Sequence, residues 1–311
     1  MAFHHISVLL TESIDALSVN PDGIYIDGTL GGGGHSALLC KNLSPQGTLI
    51  GIDRDTVALK AASDRLQPYT CNKFLVHRNF FEVKSILQEL GVSSIDGAIL
   101  DLGVSSPQLD DAERGFSYHQ EARLDMRMNR EAPLDAWQVV NTYDEARLAD
   151  IIFRYGEERY ARRIAASICE HRRDTPIETT TELSEIIKGA FPPSQRFGDK
   201  HPAKRTFQAI RIEVNHELEG LDIAIRDFAD VLKPGGRLAV ITFHSLEDRI
   251  VKNVFADLAK GCECPKDFPV CVCNKKPLAK PITRKPVIAG AKELNENYRA
   301  HSAKLRVIEK I

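Results

Sequence analysis

Asp53 and Asp101 each close a short apolar run, and the glycine-rich segment Asp27-Gly28-Thr29-Leu30-Gly31-Gly32-Gly33-Gly34-His35-Ser36 follows another. These types and spacings suit the binding of a nucleoside. Glycines without Cβ atoms let a backbone turn sharply and bring its N–H groups against a ligand, at a helix N-terminus that favours electron-rich atoms. Asp53 stands 20 residues beyond Gly33, where doubly wound folds place the carboxylate that holds ribose hydroxyls. Strand, loop, helix and acid in that order predict a nucleoside-containing cofactor. Gly31 and Gly33 match the first two glycines of a dinucleotide fingerprint, but Ser36 takes the place of the third, which counts against a nicotinamide cofactor.

Asp101 runs into Leu102-Gly103-Val104-Ser105-Ser106-Pro107-Gln108, at the sheet edge where ligands of such folds bind, so this loop is expected to touch both cofactor and substrate. His244, Glu247 and Asp248 follow the apolar run Leu238 to Phe243 at the same edge. They either position a substrate and orient Asp101 or simply open the next helix. Asp125 and Arg127 alternate with apolar Leu124, Met126 and Met128, a spacing that predicts a buried or site-facing ion pair without assigning it chemistry.

The elements that must position these groups follow from apolar periodicity. Runs at Ile24 to Ile26, Leu49 to Ile52, Phe74 to Val76 and Ile95 to Leu100 read as strands, separated by helical patterns at Thr56 to Leu66 and at Val83 to Leu90, which Gly91 can terminate. Such alternation predicts a mostly parallel sheet. After Pro107 it stops, and Tyr143 to Arg173 is helical, with capping boxes expected at Thr142/Glu145 and Thr179/Glu182 and an exit linker around Pro192, Pro193 and Pro202. A helix over Thr206 to Leu232, a Lys233-Pro234-Gly235-Gly236 turn, the strand to Phe243 and an edge strand over Leu305 to Ile308 then resume the α/β pattern. The expected organisation is an α/β core at 1–112 and 203–311 split by an inserted helical domain at 113–202.

The chain has 311 residues, 43% of them hydrophobic and 27% charged, with a net charge of −2. That is the balance of a globular protein, and no apolar run is long enough to span a membrane. Nucleic-acid affinity then has to come from local basic patches. Lys275 to Lys292 and Arg196 to Arg211 are two such stretches, each either a phosphate track or a solvated surface. Met1 to Thr11 carries neither a secretion nor a transit pattern, so a cytoplasmic location with reduced thiols is expected. Cys262-x-Cys264 and Cys271-x-Cys273 offer four thiolates, but structural zinc sites usually separate neighbouring ligands by two to four residues. Free thiols or a reversible disulfide are favoured, and no metal is expected.

The helix ending in Lys233-Pro234-Gly235-Gly236 before a strand resembles the class I methyltransferase pattern, and Ser105-Ser106-Pro107-Gln108 resembles a relaxed form of the loop of amino-group methyltransferases, without its aromatic residue. An exocyclic amino nitrogen attacks poorly because its lone pair is delocalised into the base. Acceptors on both its hydrogens would localise that pair and hold the nitrogen in line with a methyl donor. The Asp101 carboxylate and the Ser106 carbonyl are the candidates; the alternative reading makes Asp101 only a cap or cofactor ligand and Ser-Ser-Pro a turn.

Five further segments carry a closer resemblance: His4 to Leu10, Asp101 to Gly115, Asp125 to Met128, His201 to Ala209 and Phe243 to Arg249. Together they resemble the bacterial 16S rRNA cytosine-N4 methyltransferase family, RsmH, formerly MraW. The resemblance implies a Rossmann-like core that transfers a methyl group from S-adenosylmethionine to N4 of a cytidine in the decoding, P-site region of 16S rRNA within the small ribosomal subunit. It implies cofactor contacts at Gly33, Gly34, His35, Asp53, Phe80, Asp101 and Gln108, and makes the helical insertion the substrate-recognition domain. Asp101, Ser106 and His244 are the catalytic candidates. A nicotinamide oxidoreductase, a DNA methyltransferase and a non-catalytic RNA-binding factor are the rival classes. A DNA enzyme would call for a larger basic groove and an aromatic residue at Gln108.

Overall fold

Short apolar runs form the strands, three of which end in Asp (Asp27, Asp53 and Asp101), and helices form where the period lengthens. A computed structural model of the chain describes residues 7–196, 201–262, 264, 273 and 275–311. It begins α1 (Leu10–Ala16), β1 (Ile24–Asp27), α2 (Gly34–Asn42), β2 (Thr48–Asp53), α3 (Thr56–Leu66), β3 (Asn72–His77), α4 (Val83–Glu89) and β4 (Ile95–Asp101). Six helices follow: α5 (Ser106–Asp110), α6 (Ala136–Thr142), α7 (Glu145–Gly156), α8 (Ala161–His171), α9 (Thr180–Ala190) and α10 (Ala203–Asn215). The chain closes with α11 (Leu221–Val231), β5 (Leu232–Thr242), α12 (Ser245–Leu258), β6 (Ala279–Pro281), α13 (Ala291–Glu296) and β7 (Lys304–Lys310).

The seven strands form one sheet in the order β3-β2-β1-β4-β5-β7-β6. β1 to β5 pair in parallel, and β7 runs antiparallel to both β5 and β6. The expected mostly parallel α/β sheet is thus present, and its order reverses between β1 and β4, the crevice position that binds ligands in open α/β sheets. Ile26, Ile50, Ile52, Leu100, Val240 and Phe228 lie in the apolar core on one face of the sheet, and Leu39, Leu49, Ile99, Ile241 and Leu305 in the core on the other. Burial on both faces explains why these strands read as continuous apolar runs.

Two compact units divide the chain: Met1–Gly103 with Leu218–Ile311, and Val104–Glu217. The second is all helical and has its own core, including Val139, Ile152, Ile164, Leu183 and Ile210. Its limits differ from 113–202 because the pattern over Thr206 to Leu232 is two helices. His216 closes α10 with φ 50° and Gly220 opens α11 with φ 79°, so the chain turns between them. α10 joins α7 closely enough that a Cβ on Gly156 would lie 2.7 Å from the Arg205 carbonyl oxygen.

Smaller differences have local causes. Asp144, not Thr142, caps α7 by accepting from the Arg147 N–H, while the Thr142 hydroxyl donates to the Gln138 carbonyl at the end of α6. The Thr179/Glu182 capping box on α9 is present. Pro193 opens a short 3-10 turn and Pro202 precedes α10, so this proline-rich stretch belongs to the helical unit and is not its exit; residues 197–200 lie outside the described residues. Lys233 to Gly236 bulges within β5, whose Leu232 pairs with Ile95 and whose Arg237 pairs with Gly97. β7 is flanked on both sides, and the edge position belongs to β6, where Pro281 lacks the N–H an inner strand would need.

Candidate functional site

The glycine loop is strung across the carboxyl ends of three strands. The Gly28 N–H donates to Ile99 O of β4 at 3.0 Å, the Leu30 N–H to Ile52 O of β2 at 3.0 Å, and the Asp101 N–H to the Thr29 hydroxyl at 2.6 Å. Gly33 then opens α2 with φ 73°, and a Cβ there would stand 3.2 Å from Ala62 Cβ on α3. Only glycine meets both the conformation and the close helix approach. At Gly32 a Cβ would meet nothing within 4 Å, so space stands open on that side of the loop.

Three carboxyl groups converge here because β1, β2 and β4 are neighbours and each ends in Asp. Asp53 accepts from the Gly31 N–H at 2.7 Å and from the Asp55 N–H at 2.9 Å. Burial raises its carboxyl above the usual range, against the lowering effect of those two donors. Asp27 accepts from the Ser36 hydroxyl at 2.7 Å and the Thr29 N–H at 3.2 Å, and burial pushes it up to about 6. Asp101 is raised well above the carboxylate range by burial, with the neighbouring Asp27 and Glu247 charges adding to the effect. Its Oδ1 is shut away from solvent and has no hydrogen-bond partner among the described residues.

The site gathers most of the residues expected of it within the sheet unit. His35 is buried, with Nε2 3.0 Å from Val8 O and Nδ1 3.7 Å from Asp101 Oδ2, so it ties the N-terminal segment to the strand end. A Cβ on Gly34 would fall 1.9 Å from Ser7 Oγ, so a larger residue there would have to turn the Ser7 hydroxyl away. Phe80 flanks the start of the loop, 3.2 Å from where a Gly28 Cβ would be, and meets Phe81 edge-on at 4.7 Å. His244 follows β5 with its Nε2 3.1 Å from Glu247 Oε1, an approach without the alignment of a hydrogen bond, and its ring nitrogens have no hydrogen-bond partner among the described residues. Glu247 takes the N–H groups of Phe243 and His244 at 2.9 and 3.3 Å, at the first turn of α12.

Asp248 points elsewhere, into ion pairs with Arg306 at 2.7 Å and Lys304 at 3.1 Å on β7, so of the two acids only Glu247 faces the strand end. Asp27 and Thr29 were the residues not singled out in sequence. Their signal was available in the same strand–loop register that marks Asp53, but nothing local says that an acid will be buried.

Ser106 and Gln108 belong to the helical unit, where Ser105 caps α5 and Gln108 Oε1 accepts back from the Ser105 N–H at 3.1 Å. Asp125 and Arg127 form the expected pair, two parallel contacts of 2.9 and 2.8 Å. Burial alone would raise the Asp125 carboxyl, but the Arg127 guanidinium lowers it overall. Of the basic stretches, Arg211 is taken by Glu217 at 2.8 Å and Lys280 by Glu309 at 2.7 Å, while Arg284 and Lys285 are exposed. Lys200 lies outside the described residues, as do Cys271 and His4 to Ile6.

S-adenosylmethionine pairs an adenine nucleoside with a positively charged sulfonium. The buried Asp101 Oδ1, without a hydrogen-bond partner among the described residues, the carboxyl of Asp53 beside the loop and the open space over Gly32 suit both parts. The 3-2-1-4-5-7-6 sheet with its reversed β7, and a cofactor loop at the switch point, define a class I methyltransferase with S-adenosylmethionine as methyl donor.

The family model of the MraW methylase family matches residues 2–311, and the chain belongs to that family. It is 57% identical over 312 residues to "Ribosomal RNA small subunit methyltransferase H" of Clostridium botulinum (strain Kyoto / Type A2), covering 100% of both chains. Proteins of the same name match from Symbiobacterium thermophilum, at 56% identity over 100% of this chain and 98% of that one, and from Brevibacillus brevis, at 52% over 100% and 99%. A methyltransferase of Streptococcus mutans solved in complex with SAH aligns at a TM-score of 0.43 and 15% identity, covering 99% of this chain and 100% of that chain, a likeness too remote to add to the fold read from the strand order. The family resemblance carried by the sequence segments is borne out.

Proposed function

We propose that this enzyme methylates N4 of a cytidine in the decoding, P-site region of 16S rRNA within the small ribosomal subunit, in the cytoplasm. The observation that carries this is Asp101: a half-buried carboxyl at the end of β4, beside Asp27 and Glu247, whose Oδ1 is shut away from solvent and satisfied by no described group. Family membership and the names of the relatives support the RNA substrate. Gly33, Gly34 and His35 of the loop, Asp53 at the ribose and Phe80 at the adenine would hold S-adenosylmethionine, which would supply an electrophilic methyl group and a local positive charge. A positive charge next to Asp101 favours its ionised form. The ionised carboxylate accepts a hydrogen bond from the substrate amino group, localises the lone pair on N4, and takes the proton that N4 loses as its bond to the methyl carbon forms and the carbon–sulfur bond breaks, its electron pair staying on the sulfur of a now neutral thioether.

His244, buried at the same strand edge, is proposed to orient the base. The Ser106 carbonyl is proposed as the second acceptor because the amino group presents two hydrogens; the role of Gln108 at the cofactor rests on the family resemblance, as does substrate recognition by the helical unit. The test is tritiated methyl transfer from S-adenosylmethionine onto small ribosomal subunits from a strain lacking the gene, with nucleoside mass spectrometry of the product. N4-methylcytidine is expected, with Asp101→Asn lowering kcat by about 10²- to 10³-fold while leaving the fold intact. Labelling at another atom, or none in a protein that binds the cofactor, overturns the substrate; unchanged kcat in the variant removes Asp101 from the chemistry.

A further inference from the structure

The segment between α12 and β6 carries a second cluster of chemistry-bearing side chains. Its ends are pinned together, the Leu278 N–H donating to the Leu258 carbonyl at 2.9 Å, and none of its described residues is in a helix or strand. Within it the Sγ atoms of Cys262, Cys264 and Cys273 all lie within 4.8 Å of one another.

We propose that Cys262, Cys264 and Cys273 bind a structural zinc ion. The Cys262 and Cys273 sulfurs are 3.7 Å apart. That separation matches the edge of a tetrahedron with zinc–sulfur bonds of about 2.3 Å, which is ~3.8 Å. A disulfide would bring the two atoms to ~2.0 Å. The Cys264 N–H donates to Cys262 Sγ at 3.4 Å, the kind of backbone donor that stabilises a metal-bound thiolate from outside the coordination shell. A tetrahedron needs a fourth donor, and Cys271 is the remaining cysteine of the segment; its placement lies outside the described residues. The one-residue spacing within Cys262-x-Cys264 weakens a sequence argument, but what a metal requires is converging sulfurs, and here the contribution from Cys273 comes from across the loop. The other described cysteines, Cys40, Cys71 and Cys169, stand apart from this cluster.

The ion's role is to close the loop. Metal binding to thiolates releases protons and ties ligands that an unfolded chain leaves apart, so its binding free energy becomes local folding free energy. The exposed Arg284 and Lys285 follow a few residues after the closed loop, beyond β6.

The full-length protein, reduced and desalted without oxygen, is loaded with zinc chloride, passed through a desalting column and measured by inductively coupled plasma mass spectrometry. About one zinc per chain is expected, falling by at least about tenfold in Cys262→Ser/Cys273→Ser and unchanged in Cys169→Ser. Replacement of zinc by cobalt(II) should give a sulfur-to-metal charge-transfer band and the strong visible bands of a tetrahedral thiolate site in the unaltered chain. These two readouts do not depend on the serine variant folding. Zinc below about a tenth per chain in folded, reduced protein, or equal zinc in the double variant, overturns the proposal, as does recovery of a Cys262–Cys273 disulfide in place of metal under the same reducing conditions.

Discussion

Asp27 shows how a single side chain records its surroundings. In water a carboxyl of this type ionises near 3.8, and burial pushes it up to about 6 despite the Ser36 hydroxyl and the Thr29 N–H. A pKa raised in the folded state contributes stability that is fully present below the unfolded value and is lost as pH rises through the folded one. Stability of the cofactor-free chain should therefore fall between pH of about 4 and 6 by roughly 2 to 3 kcal/mol from this group alone. Urea unfolding midpoints across that range check it: Asp27→Asn should lose this part of the slope, and an identical slope in the variant assigns it to other groups. Asp101 and Asp53 are shifted in the same direction, so a bound cation near them would release protons. Calorimetry in buffers of different ionisation enthalpy should detect proton release on binding S-adenosylmethionine.

At the scale of elements, the cofactor loop separates two uses of glycine. Gly33 has φ 73° and abuts Ala62 of α3. Gly33→Ala should therefore lower stability by about 1 to 2 kcal/mol, the penalty of a left-handed L-residue with a tight contact added. Gly32→Ala introduces a Cβ into open space and should change stability by no more than about 0.5 kcal/mol, yet weaken S-adenosylmethionine by at least about tenfold where the methyl meets the ligand. Thermal melts and calorimetry on both variants distinguish them; a Gly32→Ala protein with undiminished affinity would place the ligand on another part of the loop. The helical unit makes a separate element-scale prediction. Ile210 is fully buried in the core of that unit, so Ile210→Ala should cost about 2 to 5 kcal/mol. Hydrogen exchange should rise in α7 and α10 while β1 and β4 keep their protection, because the sheet unit has its own core.

The whole molecule carries a net charge of −2, so RNA affinity has to be concentrated in patches instead of spread over the surface. Arg211 and Lys280 are engaged by Glu217 and Glu309, which removes them from a phosphate track. Arg284 and Lys285 are exposed. Arg284→Glu/Lys285→Glu should raise KM for small ribosomal subunits by about tenfold and flatten its salt dependence, with the cofactor Kd unchanged. Methyl-transfer assays at several salt concentrations measure this, and an unaltered KM would move the RNA contact elsewhere. Among the described residues no helix is long and apolar enough to cross a membrane.

By itself the sequence determined the parallel core, the glycine loop, Asp53 and Asp101, and the family, because each of these rests on local order: an apolar run, a turn, an acid at a strand end. The tertiary structure alone decided what no local pattern encodes. It paired β7 between β5 and β6, gave α10 to the helical unit, turned Asp248 away to Arg306 and Lys304, and set Asp27 beside Asp101. It also brought Cys273 to Cys262 across a loop. The physical reason is the same in each case: burial and proximity arise between residues far apart in the chain, and with them come the charges and convergent ligands that make a site.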